Sequence, residues 1–423
     1  MDIASQIPVV EGGPAKRGEP HKLVPGVGEL EAIPEPNRRE GIPVDIAPSA
    51  FYHPGIMTKN KALPRVPAFT LVLALAGLFL AAAGSGGPTA SSVDELAARP
   101  GQAPAAQAKP KATIGPAVPA SAAAVLPPGF DALVARAMKT FEVPGLAVAV
   151  VKDGYVVLAK GYGVRRLGAP EPVDARTLFG IASNTKVFTA TALGLLVEEG
   201  KIEWDAPVSR YLPWFQLSDP YVTRELTVRD LLVHRSGLGL GAGDLLLFPE
   251  TTYSRREIVG RLRHVPLATS FRSAYAYDNV LYVVAGELIE AVSGSTWEDF
   301  VSGRILKKAG MASSRPRHSA ALADPAAGNL AIPHAALETG VTPQPVDEND
   351  NMNAAGGILS CAEDMARWMR VHLEEGKLAD GTALFSEKTG RELATIVTPI
   401  PIPTPPAELA AQRMNFNGYG LGL

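Results

Sequence analysis

The order of elements along the chain predicts an α+β fold, a sheet domain carrying a large helical insertion. Three observations carry the prediction. The stretch FDALVARAMKTF (130–141) has apolar residues at helical spacing. LAVAVVKDGYVVLAKGYG then reads as two strands joined by Asp153-Gly154, a two-residue hairpin signal whose turn needs positive φ. From 183 to 330 the apolar periods are mostly helical.

Upstream of this domain the chain changes character. Residues 1–56 are rich in Pro, Gly and charge, show no hydrophobic period, and read as disordered or as a mis-assigned upstream segment. From Met57 the layout is that of a secretory signal peptide over 57–83: Lys59, Lys61 and Arg65, then an apolar core, then Ala81-Ala82-Ala83. The competing reading is an uncleaved membrane anchor through 66–83, just long enough to span a bilayer. A signal peptide belongs at a chain start, so translation is expected to begin at Met57. Residues 84–126 form an Ala/Pro/Gly linker too poor in large apolar groups to fold, and the folded domain is expected over 127–423. Export to the periplasm or outside the cell follows.

Composition narrows the function. At 423 residues and 46% hydrophobic content the chain can bury a large core. A net charge of −3 with both signs dispersed gives no basic face for nucleic acid. The single cysteine, Cys361, excludes an internal disulfide and a thiolate cage, and none of the seven histidines pairs at metal-ligand spacing. No metal and no cofactor are expected.

Within the helical block, GIASNTKVFTATALGLLVEEG predicts a helix over 184–199 stopped by Gly200 as C′ residue. Ser183 stands at its N-terminus, where unpaired N–H groups and the macrodipole favour negative charge on oxygen. Lys186, three residues on, shares its face, so the amine can reach the hydroxyl. A lysine in a poorly solvated pocket loses basicity and can take a proton, which would make the alcohol nucleophilic without histidine. A capping serine followed by a solvated lysine fits the same letters. Thr227 is expected to cap VRDLLVH, and SGSTWEDFVSGRILKKAGM to form a helix starting after Ser295 or Thr296.

A second signal is Tyr277 and Asn279, two apart, before a helix built on Leu281, Val284, Leu288 and Val292. A phenol near an ammonium is expected to have a lowered pKa and to relay protons. An amide in a tight turn can hold a substrate carbonyl. A core tyrosine and a turn asparagine would explain the pair equally well.

Taken together, TLFGIASNTKVFTATALGLLVEEGKIEWDAPVSRYLPWF, LTVRDLLVHRSGLG, AYAYDNVLYVVAGELIE, ILKKAGM and NAAGGILSCAEDMARWM resemble the class C serine β-lactamases, the related penicillin-binding DD-peptidases and the family VIII esterases. The resemblance runs from about residue 127 to the C-terminus. It implies an antiparallel sheet flanked by helices with a helical subdomain, and an exported serine hydrolase acting through an acyl-enzyme on a β-lactam, a D-amino-acid peptide or an ester. It makes Ser183 the acylated nucleophile, Lys186 its base, Tyr277 the proton relay to the leaving group and Asn279 a substrate-binding amide. The Ser183 N–H becomes one oxyanion donor. His234 to Leu238 is read as scaffold, and Gly356-Gly357 as one wall of the cleft.

Two departures stand out. The family usually has Ser or Ala where Asp278 stands; a carboxylate in the cleft would raise the lysine pKa and repel anionic substrates, so Asp278 is expected to face away. The family's third motif, Lys-Thr-Gly or His-x-Gly on a closing strand, has a look-alike in Lys388-Thr389-Gly390. That triplet follows Ser386 in a helical pattern, so it is expected on a surface helix. It also precedes NGYGLGL, which resembles the strand before the true motif. The expectation is therefore a C-terminally truncated domain with its last strands missing. A catalytically impaired truncated homologue, acting as a binding module or left as a non-functional fragment, is the alternative function. Two lures fail: DENDNMNAAGGI lacks the Gly and Glu of a calcium loop, and SGLGLGAGD, without a P-loop lysine, reads as a flexible loop at the cleft rim.

Overall fold

The computed structural model describes residues 126–423 apart from 320–327, 347, 407–409 and 411–412. The leader, the signal or anchor segment 57–83 and all but the last residue of the linker lie outside the described residues. Among the described residues no helix is long and apolar enough to cross a membrane.

Helix α1 (Phe130–Thr140) leads into the antiparallel hairpin of β1 (Gly145–Lys152) and β2 (Tyr155–Gly163). Asp153 and Gly154 turn it with φ of 51° and 77°, the two positive angles that the Asp-Gly signal demands. A two-residue strand β3 (Phe179–Gly180) delivers the chain to α2 (Thr185–Glu198), which ends as expected at Gly200 with φ 67°. Short elements follow: α3 (Pro220–Glu225), one 3-10 turn at Arg229–Leu231, and α4 (Arg255–Arg261) with a full Ser254/Glu257 capping box. Thr227 Oγ1 accepts the Asp230 N–H, and the short segment it precedes forms a 3-10 turn.

Helix α5 (Val280–Ser293) and α6 (Trp297–Val301), capped by Thr296, complete the helical block. A hairpin of β4 (His334–Leu337) and β5 (Gly340–Pro343) was not foreseen. Then come α7 (Asn353–Gly356), β6 (Leu359–Ser360), α8 (Ala362–Leu373), α9 (Glu387–Ala394), β7 (Thr398–Pro399) and β8 (Gly418–Tyr419). All named strands pair antiparallel, β3 with β6 and β7 with β8, so among the described residues the sheet structure is four two-stranded pieces flanked by helices.

The core sits between α2 and α5. Phe188, Leu193 and Leu196 of α2 and Val283, Val284 and Leu288 of α5 are all fully buried. Full burial of one such side chain is worth about 1.5–3 kcal/mol. α7 approaches α5 closely because Gly286 has no side chain; a Cβ there would stand 2.8 Å from the Ala354 Cβ. A buried relay ties α6, α2 and α7 together: Trp297 Nε1 donates to Thr189 Oγ1 (3.0 Å), which donates to the Ala354 carbonyl (2.7 Å). This packing sets the height of α7 against the first turn of α2.

Candidate active site

Ser183 lies in a single 3-10 turn, Ala182–Asn184, that feeds α2. Ala182 holds φ at 45°, a left-handed value that costs a residue with a Cβ on the order of 1 kcal/mol or more. The N-cap of α2 is Asn184, and no side-chain oxygen caps the helix. The Ser183 hydroxyl is thus free of the usual capping duty and stands exposed. Gly356 lies against the Ala182 backbone, whereas Gly357 is folded onto Asn353, so only the first of the two expected wall glycines adjoins the nucleophile turn.

Lys186 is fully buried and sits at the centre of the arrangement. Its Nζ reaches Ser183 Oγ at 3.2 Å, Asn279 Oδ1 at 2.8 Å and the Ala355 carbonyl at 3.0 Å. The rings of Tyr277 and Tyr282 flank it at 4.8 and 5.0 Å. Burial depresses the lysine pKa from 10.5 to about 7, against the opposing pull of the Asp278 and Asp244 carboxylates. Near neutrality a large fraction is therefore a free amine.

Tyr277 Oη donates to Ser183 Oγ at 2.7 Å, so the structure brings Ser183, Lys186, Tyr277 and Asn279 together. The expected lowering of the tyrosine pKa is corrected: burial, reinforced by Asp278 and Asp244, raises it despite the Ser183 hydrogen bond. The ammonium that would have lowered it is itself suppressed by burial, so desolvation prevails. Tyr277 is a neutral phenol across ordinary pH, a proton donor.

Asp278 turns into the interior. Its Oδ1 accepts the Leu281 N–H in the first turn of α5, and its Oδ2 lies 3.9 Å from His234 Nδ1, both side chains fully buried. Its charge still raises the Lys186 pKa. His234, at φ 55°, sets its ring at a 34° tilt with its centroid 4.3 Å from that of Tyr277 and supports that phenol from behind.

Two contributors escaped the sequence. The first is the Ala355 carbonyl, carried by α7; a backbone acceptor leaves no signature in residue type. The second is Asp244, in the glycine-rich run read as a flexible rim loop. That loop is tied down: the Gly241 N–H donates to the Tyr277 carbonyl at 2.8 Å, and Asp244 takes Asn279 Nδ2 on both carboxylate oxygens at 3.1 and 3.2 Å. An acidic residue close after Gly-x-Gly-x-Gly was the available clue. Among the described residues no group of three or more His, Cys, Asp and Glu side chains is placed to hold a metal ion.

The family model described as Beta-lactamase matches residues 130–399, well over half of the chain. The chain belongs to the beta-lactamase family. Its relatives include penicillin-binding proteins and hydrolases. The unguisins hydrolase ungD of Aspergillus violaceofuscus is 31% identical over 255 residues, covering 57% of this chain and 44% of that protein. Penicillin-binding protein 4 of Amycolatopsis lactamdurans is 31% identical over 265 residues, covering 61% and 65%. The chain thus spans about half to two thirds of the length of these relatives. Among solved structures, the octameric penicillin-binding protein homologue from Pyrococcus abyssi superposes with a TM-score of 0.59 at 28% identity, covering 69% of this chain and 63% of that one.

In this beta-lactamase family chain the Lys388-Thr389-Gly390 triplet lies on α9, with Ser386 capping by accepting the Thr389 N–H at 3.3 Å. Lys388 is exposed. The NGYGLGL segment does approach the site: β8 pairs with β7, and Gly422, at φ 81°, crosses so close to α2 that a Cβ would stand 2.9 Å from the Lys186 carbonyl.

Proposed function

We infer that the chain is a serine hydrolase working through an acyl-enzyme on Ser183, with a β-lactam, a D-amino-acid peptide or an ester as substrate. One observation carries this reading: an uncapped serine hydroxyl that receives Tyr277 and Lys186 at hydrogen-bond distance, the lysine being buried enough to be a base.

The chemistry follows from the donors. Neutral Lys186 takes the Ser183 proton as Oγ attacks the substrate carbonyl carbon. The resulting oxyanion sits at the N-terminus of α2, with the Ser183 N–H as one donor. The intermediate collapses, the carbonyl reforms, and the leaving group departs with a proton from the Tyr277 phenol. Lys186 returns a proton to Tyr277, and water then attacks the ester under the same base to regenerate Ser183. Asn279 holds Lys186 and is available to the substrate amide. Substrate choice within this set depends on the cleft rim.

Export through residues 57–83, with cleavage after the alanines or anchoring through 66–83, belongs to the same proposal. N-terminal sequencing of the mature protein tests it, and a first residue before 80 removes cleavage. For the hydrolase, a fluorophosphonate and a labelled penicillin are each incubated with the protein and the adduct is mapped by peptide mass spectrometry. Labelling of Ser183 together with turnover of nitrocefin or a nitrophenyl ester supports the reading. Substrate binding without adduct or turnover returns the chain to the binding-module alternative.

A further inference from the structure

Asn279 stands between two groups that each leave it no choice. Lys186 can only donate hydrogen bonds, so it needs the amide oxygen; an ionised Asp244 can only accept, so it needs the amide nitrogen. The observed contacts satisfy both, with Oδ1 at 2.8 Å from Lys186 Nζ and Nδ2 at 3.1 and 3.2 Å from the two oxygens of Asp244. The consequence reaches Ser183. A neutral amine has two N–H bonds and one lone pair. Asn279 Oδ1 and the Ala355 carbonyl, at 2.8 and 3.0 Å, are pure acceptors and take the two N–H bonds. The lone pair is left for the third and longest contact, Ser183 Oγ at 3.2 Å.

We propose that Asp244 is a positioning residue that fixes the orientation of the Asn279 amide and thereby aims the Lys186 lone pair at the Ser183 hydroxyl. The proposal rests on the hydrolase reading above. Without Asp244 the amide is free to turn its NH2 toward the lysine, and a donor would then face the N–H that had been held. Asp244 itself is held by its own 3-10 turn and by Gly241, whose N–H is anchored on the carbonyl of Tyr277. The charge of Asp244 acts separately from its geometry. Together with Asp278 it favours the ammonium form of Lys186; the other titratable groups around the amine are Tyr277 and Tyr282, with His234 and Tyr419 behind them, and burial raises the pKa of all three phenols.

Two variants separate the effects. Asp244→Ala removes both acceptor and charge, whereas Asp244→Asn keeps an oxygen that can accept Asn279 Nδ2 and removes only the charge. Rates of Ser183 acylation by a fluorophosphonate are measured from pH 5 to 9. The expected result is a loss on the order of 100-fold at pH 8 for Asp244→Ala, the scale of a misaimed catalytic group. Asp244→Asn is expected to recover most of that rate, with its acid limb moved to lower pH. Wild-type rates in Asp244→Ala would overturn the proposal, as would an Asp244→Asn variant equally slow and with an unmoved limb. In parallel, the Lys186 amine is titrated by NMR on 15N-lysine-labelled protein. A downward shift in both variants is expected; no shift rejects the electrostatic part. If wild-type Ser183 resists acylation the hydrolase reading fails, while the titration still reports whether Asp244 governs Lys186.

Discussion

Two helix N-termini in this chain carry a serine and a lysine, and they do opposite things. At α9, Ser386 accepts the Thr389 N–H, and Lys388 extends into solvent. At α2, Ser183 caps nothing; its oxygen is held by Tyr277 and faces a lysine with no exposed surface. The residue types are the same. What differs is the company: α9 lies at the surface with its first turn open to water, whereas the first turn of α2 is enclosed by α5, α7 and the loop bearing Asp244. Lys388 stays in water, whereas the absence of water around Lys186 strips that amine of basicity. In the proposed mechanism serine and lysine become reactive through what is withheld from them, a capping bond in one case and solvent in the other.

The comparison breaks most sharply at the serines. Ser183→Ala is expected to abolish adduct formation and to lower turnover by roughly 10⁵- to 10⁶-fold, the loss typical of removing a covalent nucleophile. Intact-protein mass spectrometry after fluorophosphonate treatment checks it; a persistent adduct would move the nucleophile elsewhere.

Next are the lysines. Lys186→Met is expected to cost about 10³- to 10⁴-fold in kcat/KM, the scale of general-base catalysis. In the wild type the base must be neutral, so kcat/KM should be low under acid conditions, rise as Lys186 loses its proton around pH 7, and reach a plateau above that. It should fall again only at strongly alkaline pH, because the Tyr277 pKa is raised and the phenol keeps its proton. A pH profile flat from 5 to 9 would contradict a lysine base.

Tyr277→Phe removes the donor at 2.7 Å from Ser183 and leaves the ring against Lys186. A nitrophenolate leaves without a proton, while an alkoxide or an amine does not. The loss should therefore be small with nitrophenyl esters and about 10² or more with alkyl esters or amides. Equal losses on both substrate types would place the phenol in a purely structural role.

Much of this was legible in the chain because it is local. The Asp153-Gly154 turn, the i,i+3 reach of Lys186, the Gly200 stop and the Ser386 cap each depend on residues within one turn of each other. What stayed illegible depends on residues far apart in sequence. Asp244 meets Asn279 across 35 positions and Ala355 meets Lys186 across 169, and the second contact uses a carbonyl that every residue has. The sign of the Tyr277 pKa shift was misread for the same reason: pairing with a lysine is visible in a motif, but burial of both partners is a property of packing. The β4–β5 hairpin escaped because HAALETGVTP offers little β-branched or alternating signal.

The smallest expected effect sits at α9. Ser386→Ala should lower stability by about 1 kcal/mol, the usual value of a lost N-cap, with kcat/KM unchanged. Thermal unfolding and turnover of one purified variant give both numbers. The hydroxyl is the only capping oxygen on that turn, but the Ser386 N–H keeps its bond to Glu198 Oε1 at 2.7 Å, which limits the damage to the cap. Lys388→Ala removes an exposed amine and should change neither quantity beyond a few tenths of a kcal/mol. The pair is informative because α9 packs directly on α2, with Thr389 lying against Gly194, so a purely mechanical disturbance has a route toward Ser183. A tenfold loss of turnover in Lys388→Ala with unfolding unchanged would mean that the amine of α9 serves the reaction. The contrast between the two helix starts would then have to be redrawn as a division of labour.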